Sequence, residues 1–456
     1  MRPRSWLQLT GFVITLGGMF AAAVLFTLDA RPGTTIYFSI LTYGLMPLVI
    51  FCGLALWGVG VWRERRLRRR LGTDYQSSLE LATPGQRRAM ALAILLGMFA
   101  LLVLSLYGSS QAYQMAESDR FCGTTCHQVM EPEFVTHPHG PHASVSCTQC
   151  HIGPGAEHAV KAKLRGIHQL MATLKNDYPR PVPTPVATMR TPQDICMQCH
   201  SDHMPETKLK DHSYTLAGDD NPTFHTRLLL KTAAIHAHPE TEYLATDDQR
   251  QNIPFVRVTR ADGSQETFVH EDADAAEFAK PEGLRSMDCL DCHNRAAHRF
   301  ARPRAQINAL FAAGKLPPLP DLKTEALACF DAEPAEFANI LREAHGEDKG
   351  AEIAKAAEVL ETAWRQSHFP AMNTNWRSHP DNRGHTWSEG CFRCHGGQHH
   401  SQSGVTISAD CALCHDIVGQ GQGSLPPLTE PQIFKHPTDI AEMWQHMRCT
   451  ECHAAE

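Results

Sequence analysis

The chain has 456 residues, 43% of them hydrophobic, with a formal net charge of −7, 16 cysteines and 27 histidines. The cysteine count asks for disulfides, zinc sites or covalent haem, and the one arginine run, lying between two apolar stretches, reads as topogenic rather than as a nucleic-acid binder. The charge is uneven: residues 1–107 carry 11 arginines against 4 acids, a balance of +7, while the remainder carries 31 Lys plus Arg against 45 acids, a balance of −14.

Three uncharged apolar runs come first, at 6–28, 34–62 and 89–107. Each reaches the roughly 20 residues that cross the hydrocarbon core of a bilayer. No small-residue cleavage site follows the first run, so it reads as an uncleaved anchor. Between the second and third runs lies RERRLRRR at 63–70, followed by Arg87 and Arg88. Positive loops stay in the cytoplasm. The expectation is a cytoplasmic N-terminus, three transmembrane helices in a bacterial inner membrane, and a periplasmic domain after Tyr107.

Fourteen cysteines form seven pairs, each followed at once by histidine. The first pair is wide: CGTTCH holds Cys122, Cys126 and His127. Six are regular CxxCH: Cys147, Cys150 and His151; Cys196, Cys199 and His200; Cys289, Cys292 and His293; Cys391, Cys394 and His395; Cys411, Cys414 and His415; Cys449, Cys452 and His453. A zinc ribbon requires no histidine after each pair. Haem c does: two thiols add to the haem vinyl groups and the adjacent histidine meets the iron. Seven covalently attached haem c groups are expected, fastened on the outer side of the membrane. Cys52 and Cys329 are left over and read as inert, Cys52 as a small buried hydrophobe in its apolar run and Cys329 without a visible partner.

The fold class follows as a multihaem cytochrome c, with three N-terminal transmembrane helices and then a mostly α/coil periplasmic haem domain with a small β-hairpin. The expected divisions are 1–107, the anchor; 108–235, haems 1–3; 236–300, haem 4 with the hairpin; 301–385, a helical insert; and 386–456, haems 5–7. The hairpin is IPFVRVTRADGSQETFVH, alternating on both sides of Asp262-Gly263. The insert should hold two helices, at 321–345 and 348–368. The acidic outer part would steer a basic electron-transfer partner toward it.

Electron-transfer haems usually take a second protein ligand. Beyond the seven motif histidines, the candidates near a motif or in a tight local frame are His142, His236, His238, His298, His385, His399 or His400, and His436. His137, His139, His270 and His446 are set aside.

A membrane anchor, a first motif followed by methionine, and then CHIGPGAEHAVKAKL resemble the NapC/NirT/NrfH family of membrane-bound quinol-oxidising cytochromes, over roughly residues 90–200. The stretches IHAHPETEYLATDDQR, RSMDCLDCHNRAAH and GCFRCHGGQHH are similar to a narrower branch, the heptahaem inner-membrane cytochromes of metal-reducing bacteria, the ImcH type. The resemblance implies menaquinol oxidation beside the first haem, with electrons passed to soluble periplasmic c-type cytochromes. It makes Met130 an iron ligand and puts Lys163, or Lys161, at the quinol. Family members often have a carboxylate further along, and here His168 stands in that zone. Quinol oxidation releases protons, so Glu131 and Glu133 are further candidate bases. The first cysteine pair and the spacing to Met130 are each one residue longer than the family pattern, which sets the first haem apart. The alternative is an electron-transfer anchor subunit with no quinone site of its own.

Overall fold

The computed structural model describes residues 5–29, 44–72, 83–125, 127–153, 156–184, 186, 189–200, 204–278, 281–445 and 447–453. These fall into two compact units. One is Met1–Thr125 with Ser146–Gln169, and the other is Cys126–Val145 with Leu170–Glu456. The division runs through the first motif, between Cys122 and His127.

The first unit holds α1 (Trp6–Asp29), α2 (Met46–Leu71) and α3 (Pro84–Glu117). All three are long and apolar enough to cross a membrane, which fits a membrane-anchored protein. The start of the expected second span, 34–43, lies outside the described residues. In lipid, helices associate through close packing of small residues rather than by hydrophobic exclusion. That is how α1 meets α2. A Cβ on Gly11 would lie 2.4 Å from the Trp57 nitrogen, and one on Gly53 would lie 2.7 Å from the Thr15 nitrogen. Both obstacles are backbone and cannot swing aside. Gly53→Val is therefore expected to force the two helices apart at a cost of about 1–3 kcal/mol, read as an earlier thermal transition in detergent.

Helix α3 starts at a capping box, in which Thr83 and Gln86 each bond the other's backbone N–H, with Pro84 at the first helical position. It runs on past its apolar stretch to Glu117. Cys122 follows on α4 (Asp119–Thr125). The second motif forms α5 (Cys147–His151), whose first N–H donates to the Asp119 carboxylate at 2.7 Å.

The second unit opens with α6 (His127–Thr136) and continues into two antiparallel sheets. One has the order β1 (Lys208–Thr215), β2 (Thr223–Leu230), β10 (His415–Gln422). The other has the order β6 (Arg285–Ser286), β3 (Glu240–Leu244), β4 (Phe255–Thr259), β5 (Gln265–His270), β9 (His399–Ser401). A short ribbon pairs β7 (His368–Phe369) with β8 (Thr374–Asn375). The expected hairpin is β4–β5, with Val256 opposite Phe268 and Gly263 in the turn at φ 81°, where only glycine sits without steric cost. The expectation of a mostly α/coil domain with one small hairpin needs correction, because that hairpin is the middle of a five-stranded sheet and a second sheet stands beside it in sequence. The extra strands escape pattern reading for a physical reason. KLKDHSYT and HDIVGQGQ are polar and glycine-interrupted, and HHS is three residues long. None shows an apolar alternation.

The insert holds four helices where two were expected: Pro303–Ala312, Leu322–Phe330, Phe337–His345 and Gly350–Trp364. Pro334, opening a short turn at Pro334–Glu336, separates the second from the third. They share one dry core in which Ile307, Leu322, Phe337, Leu341 and Leu360 are fully buried.

Candidate metal centres

Each described motif coils into about one helical turn, which brings its cysteines to one side and carries the histidine just past them. Short polar caps start several of these turns. Asp288 accepts from the Leu290 N–H at 2.8 Å, and Asp410 from the Ala412 N–H at 2.9 Å. No disulfide joins any described cysteine. No three His, Cys, Asp or Glu side chains among the described residues are arranged to hold a bare metal ion. Cys126 lies outside the described residues, and so does the side chain of His127.

Five motif histidines each stand opposite a second histidine. The ring centres lie 6.0 Å apart for His200 and His142, 6.2 Å for His293 and His236, 5.9 Å for His395 and His238, 6.1 Å for His415 and His385, and 6.1 Å for His453 and His436. An imidazole nitrogen binds a first-row metal at about 2 Å, so two rings on opposite faces of one iron have centres about 6 Å apart. The pairs leave that gap.

The tautomers agree. A backbone carbonyl can only accept, so a ring nitrogen beside one carries the proton. His142 Nδ1 donates to Ala296 at 3.1 Å, His236 Nδ1 to Thr232 at 2.7 Å and His395 Nδ1 to Ser408 at 3.1 Å. Each bond leaves Nε2 with its lone pair, the arrangement that orients metal-ligating histidine. Burial lowers the pKa of His238, His293, His385 and His415, favouring the neutral ligand form. His385 and His415 also bury Nδ1 atoms without a hydrogen-bond partner. The donor set fits haem iron.

Two other candidates sit elsewhere. His298 faces His137 at 5.7 Å, with its Nδ1 donating to the Glu133 carbonyl at 3.2 Å. His137 had been set aside, and its sequence context offers no signal that would have found it. His399 makes no ring contact with a motif histidine among the described residues. Its Nε2 is occupied by the Ile253 carbonyl at 2.7 Å and its ring packs on His270 at 5.1 Å. That bond puts the proton on Nε2 and leaves the lone pair on Nδ1, which is buried without a hydrogen-bond partner. His400 bonds Thr406 instead, Nδ1 to Oγ1 at 2.9 Å.

Met130, Glu131 and Glu133 all lie on α6. Burial raises the Glu133 pKa against the pull of Arg295, 3.6 Å away. Lys161, Lys163 and His168 lie on α7 (Ala156–Lys175). Lys161 and His168 are exposed, and the Lys163 side chain is outside the description. On the same helix Leu164, Ile167, Met171 and Leu174 expose an apolar stripe at helical spacing.

The chain is 32% identical over 455 residues to the cytochrome c-type protein ImcH of Geobacter sulfurreducens, an alignment that spans 92% of this chain and 89% of that one. The chain belongs to the ImcH family of c-type cytochromes. No profile of a known family and no solved structure matches it. Membership in the ImcH family implies covalently bound haem c and electron transfer.

In this ImcH-family chain, the residues between the paired cysteines also build the site. Asp291, inside CLDC, is 3% exposed. Its carboxylate accepts from the Tyr243 hydroxyl at 2.7 Å, Arg250 Nη1 at 2.8 Å, Arg285 Nε at 3.1 Å and the Asp288 N–H at 2.8 Å. Its carbonyl accepts from Asn382 at 3.0 Å and from Arg393 Nη2 at 2.6 Å. Arg393 lies inside CFRC, and its other nitrogens reach the Gly390 and Arg250 carbonyls at 2.8 and 2.7 Å. Motifs four and five are thereby tied to each other and to the larger sheet. Sequence reasoning passed over both residues, although a charge inside each motif was visible.

Proposed function

We propose that this cytochrome binds seven covalent haems, one per motif, oxidises menaquinol beside the first motif at the inner membrane, and passes the electrons to periplasmic c-type cytochromes. The observation that carries the reading is the set of five doubled histidines. An iron held by imidazole on both faces has no open position for a small substrate, which suits relay. Haem iron, when bound, supplies one-electron ferric–ferrous chemistry, so two irons match the two electrons of one quinol.

Oxidation of the quinol then falls to the membrane end of the chain. Helix α3 leads from its apolar stretch toward Cys122, only five residues beyond Glu117. The exposed apolar stripe of α7, with Lys161, Arg165 and His168 on the same helix, suits a position at a lipid surface. The resemblance to NapC/NirT/NrfH cytochromes assigns Lys163 to the quinol. Each quinol gives up two protons with its two electrons, and Lys163, Lys161, His168, Glu131 and Glu133 are the groups on hand to hold or move them. In this reading residues 1–107 anchor the chain, 108–300 carry haems 1–4, 301–385 divide, and 386–456 carry haems 5–7. The balance of −14 after residue 107 would draw a basic cytochrome partner, and the arginine run at 63–70 would keep its own loop cytoplasmic.

The test is to add a menaquinol analogue to the oxidised, purified protein and follow the haem absorbance bands. Fast reduction is expected, slowed about 100-fold or more in Lys163→Ala, the usual weight of one proton-handling group. A wild-type protein that dithionite reduces fully and quinol does not reduce would refute the reading.

A further inference from the structure

A cavity of about 450 Å³ opens in the second unit, lined by Glu131, Glu333, Trp364, His368, Phe369 and Pro370. That volume lies within the usual range for small-molecule sites. It joins two segments distant in sequence, the helix that begins with the first motif's histidine and the end of the helical insert. Glu131 stands one helical turn after His127.

The polar groups of the cavity define what it can hold. The His368 ring stacks on the Trp364 indole at 4.3 Å with a 4° tilt. Its Nδ1 donates to the Trp364 carbonyl at 3.1 Å, so Nε2 is the acceptor. Burial lowers the His368 pKa and keeps that lone pair unprotonated. The Trp364 indole N–H is buried without a hydrogen-bond partner. Arg365 also lines the cavity but is engaged by Glu361 at 2.7 Å. Two carboxylates with one engaged cation repel an anion, which disfavours phosphate and the carboxylates of a haem. Carboxylates and a neutral imidazole acceptor suit a ligand that brings hydroxyl groups, and a Trp–Phe–Pro lining suits a flat aromatic body.

We propose that this cavity docks the hydroxylated aromatic ring of the quinol, with His368 Nε2 accepting a hydrogen bond from a ring hydroxyl. The inference deepens the quinol reading above and rests on it. It places the ring against the helical insert, a segment outside the stretch that resembles NapC/NirT/NrfH proteins.

The test is a fluorescence titration of the full-length, haem-loaded protein with a hydroxyquinoline N-oxide, a quinol analogue whose emission haem quenches on binding. His368→Leu is expected to weaken binding about 10-fold, one good hydrogen bond. His368→Gln, which keeps an acceptor, should stay within about 3-fold of wild type. Ala371→Phe, which crowds the rim from an exposed position, should also weaken it about 10-fold. Binding unchanged in both His368→Leu and Ala371→Phe overturns the proposal. So does an altered oxidised haem spectrum in His368→Leu, which would make His368 an iron ligand instead. If Lys163→Ala slows quinol oxidation while His368→Leu changes neither binding nor rate, the cavity falls and the quinol reading stands. A wild type that binds the analogue at this cavity but is not reduced by quinol keeps the site and loses the quinol reading. A wild type that does neither loses both.

Discussion

Replacing Asp291 with alanine is expected to cost the folded protein about 3–5 kcal/mol, the range for removing one partner of a buried ionic network. The size comes from what remains. Arg285 and Arg250 would keep their charges in a partly buried site without the carboxylate both now share, and the Tyr243 hydroxyl would lose its acceptor. Asp291→Asn keeps most of the shape and some of the hydrogen bonds, and should fall between wild type and alanine. The same group predicts an acid limb. Burial opposes ionisation of Asp291, but the Tyr243 hydroxyl, the Asp288 N–H and Arg285 outweigh it and hold the carboxyl below its ordinary 3.8. A carboxyl depressed in the folded state stabilises above its unfolded value and loses that contribution as pH falls through the folded value. Wild type should therefore lose more stability than Asp291→Ala between pH 7 and about pH 3. Equal losses in thermal melts of the two proteins would show that the carboxylate is not the stabilising element.

His236→Ala should let the oxidised and reduced protein bind one more small ligand per chain than wild type. His236 and His293 are close to parallel, 9° apart, at 6.2 Å. If one iron lies between them, deleting His236 leaves that iron with an open face. Carbon monoxide added to the reduced variant would then shift the absorbance of a single haem, against no shift at this haem in wild type. His236→Ala with unchanged spectra and no additional carbon monoxide binding would mean the two rings share no metal. His399→Ala is the internal contrast, because its ring packs on His270, which belongs to no motif. It should add no carbon monoxide site.

The sequence made the chemistry more legible than the pairing. CxxCH announces its cofactor in five residues, and the anchor announces itself by length and lack of charge. Second histidines could be named because they stand close to motifs. Which motif each one meets could not. His142 lies five residues before Cys147 yet faces His200 of the next motif. His236 and His238, two residues apart, face His293 and His395 of different motifs. Such choices are made by tertiary folding, and the β10 strand shows how far that reaches: it starts at a motif histidine, His415, and pairs back with Leu230 on β2. The helical insert was legible where its apolar period was strong, over 350–364, and less so where Pro334 interrupts it. His399, four residues after His395, belongs to strand β9 and pairs there with His270, a placement its proximity to CFRCH does not announce.

The tie between Asp291 and Arg393 has a consequence in time. Cys394, in the motif that holds Arg393, packs against the cluster of Tyr243, Ile253, Val256 and Phe268. Once the sheet and the Arg393 bonds have closed, that thiol faces protein on its inner side. An enzyme that joins haem to cysteine needs an accessible thiol, so it must act while this part of the chain is still open. If haem is joined to Cys394, maturation is then ordered, with attachment before closure. A chain that folds ahead of its cofactor supply would strand its middle motifs empty, and production of the holoprotein would be limited by the race between attachment and folding.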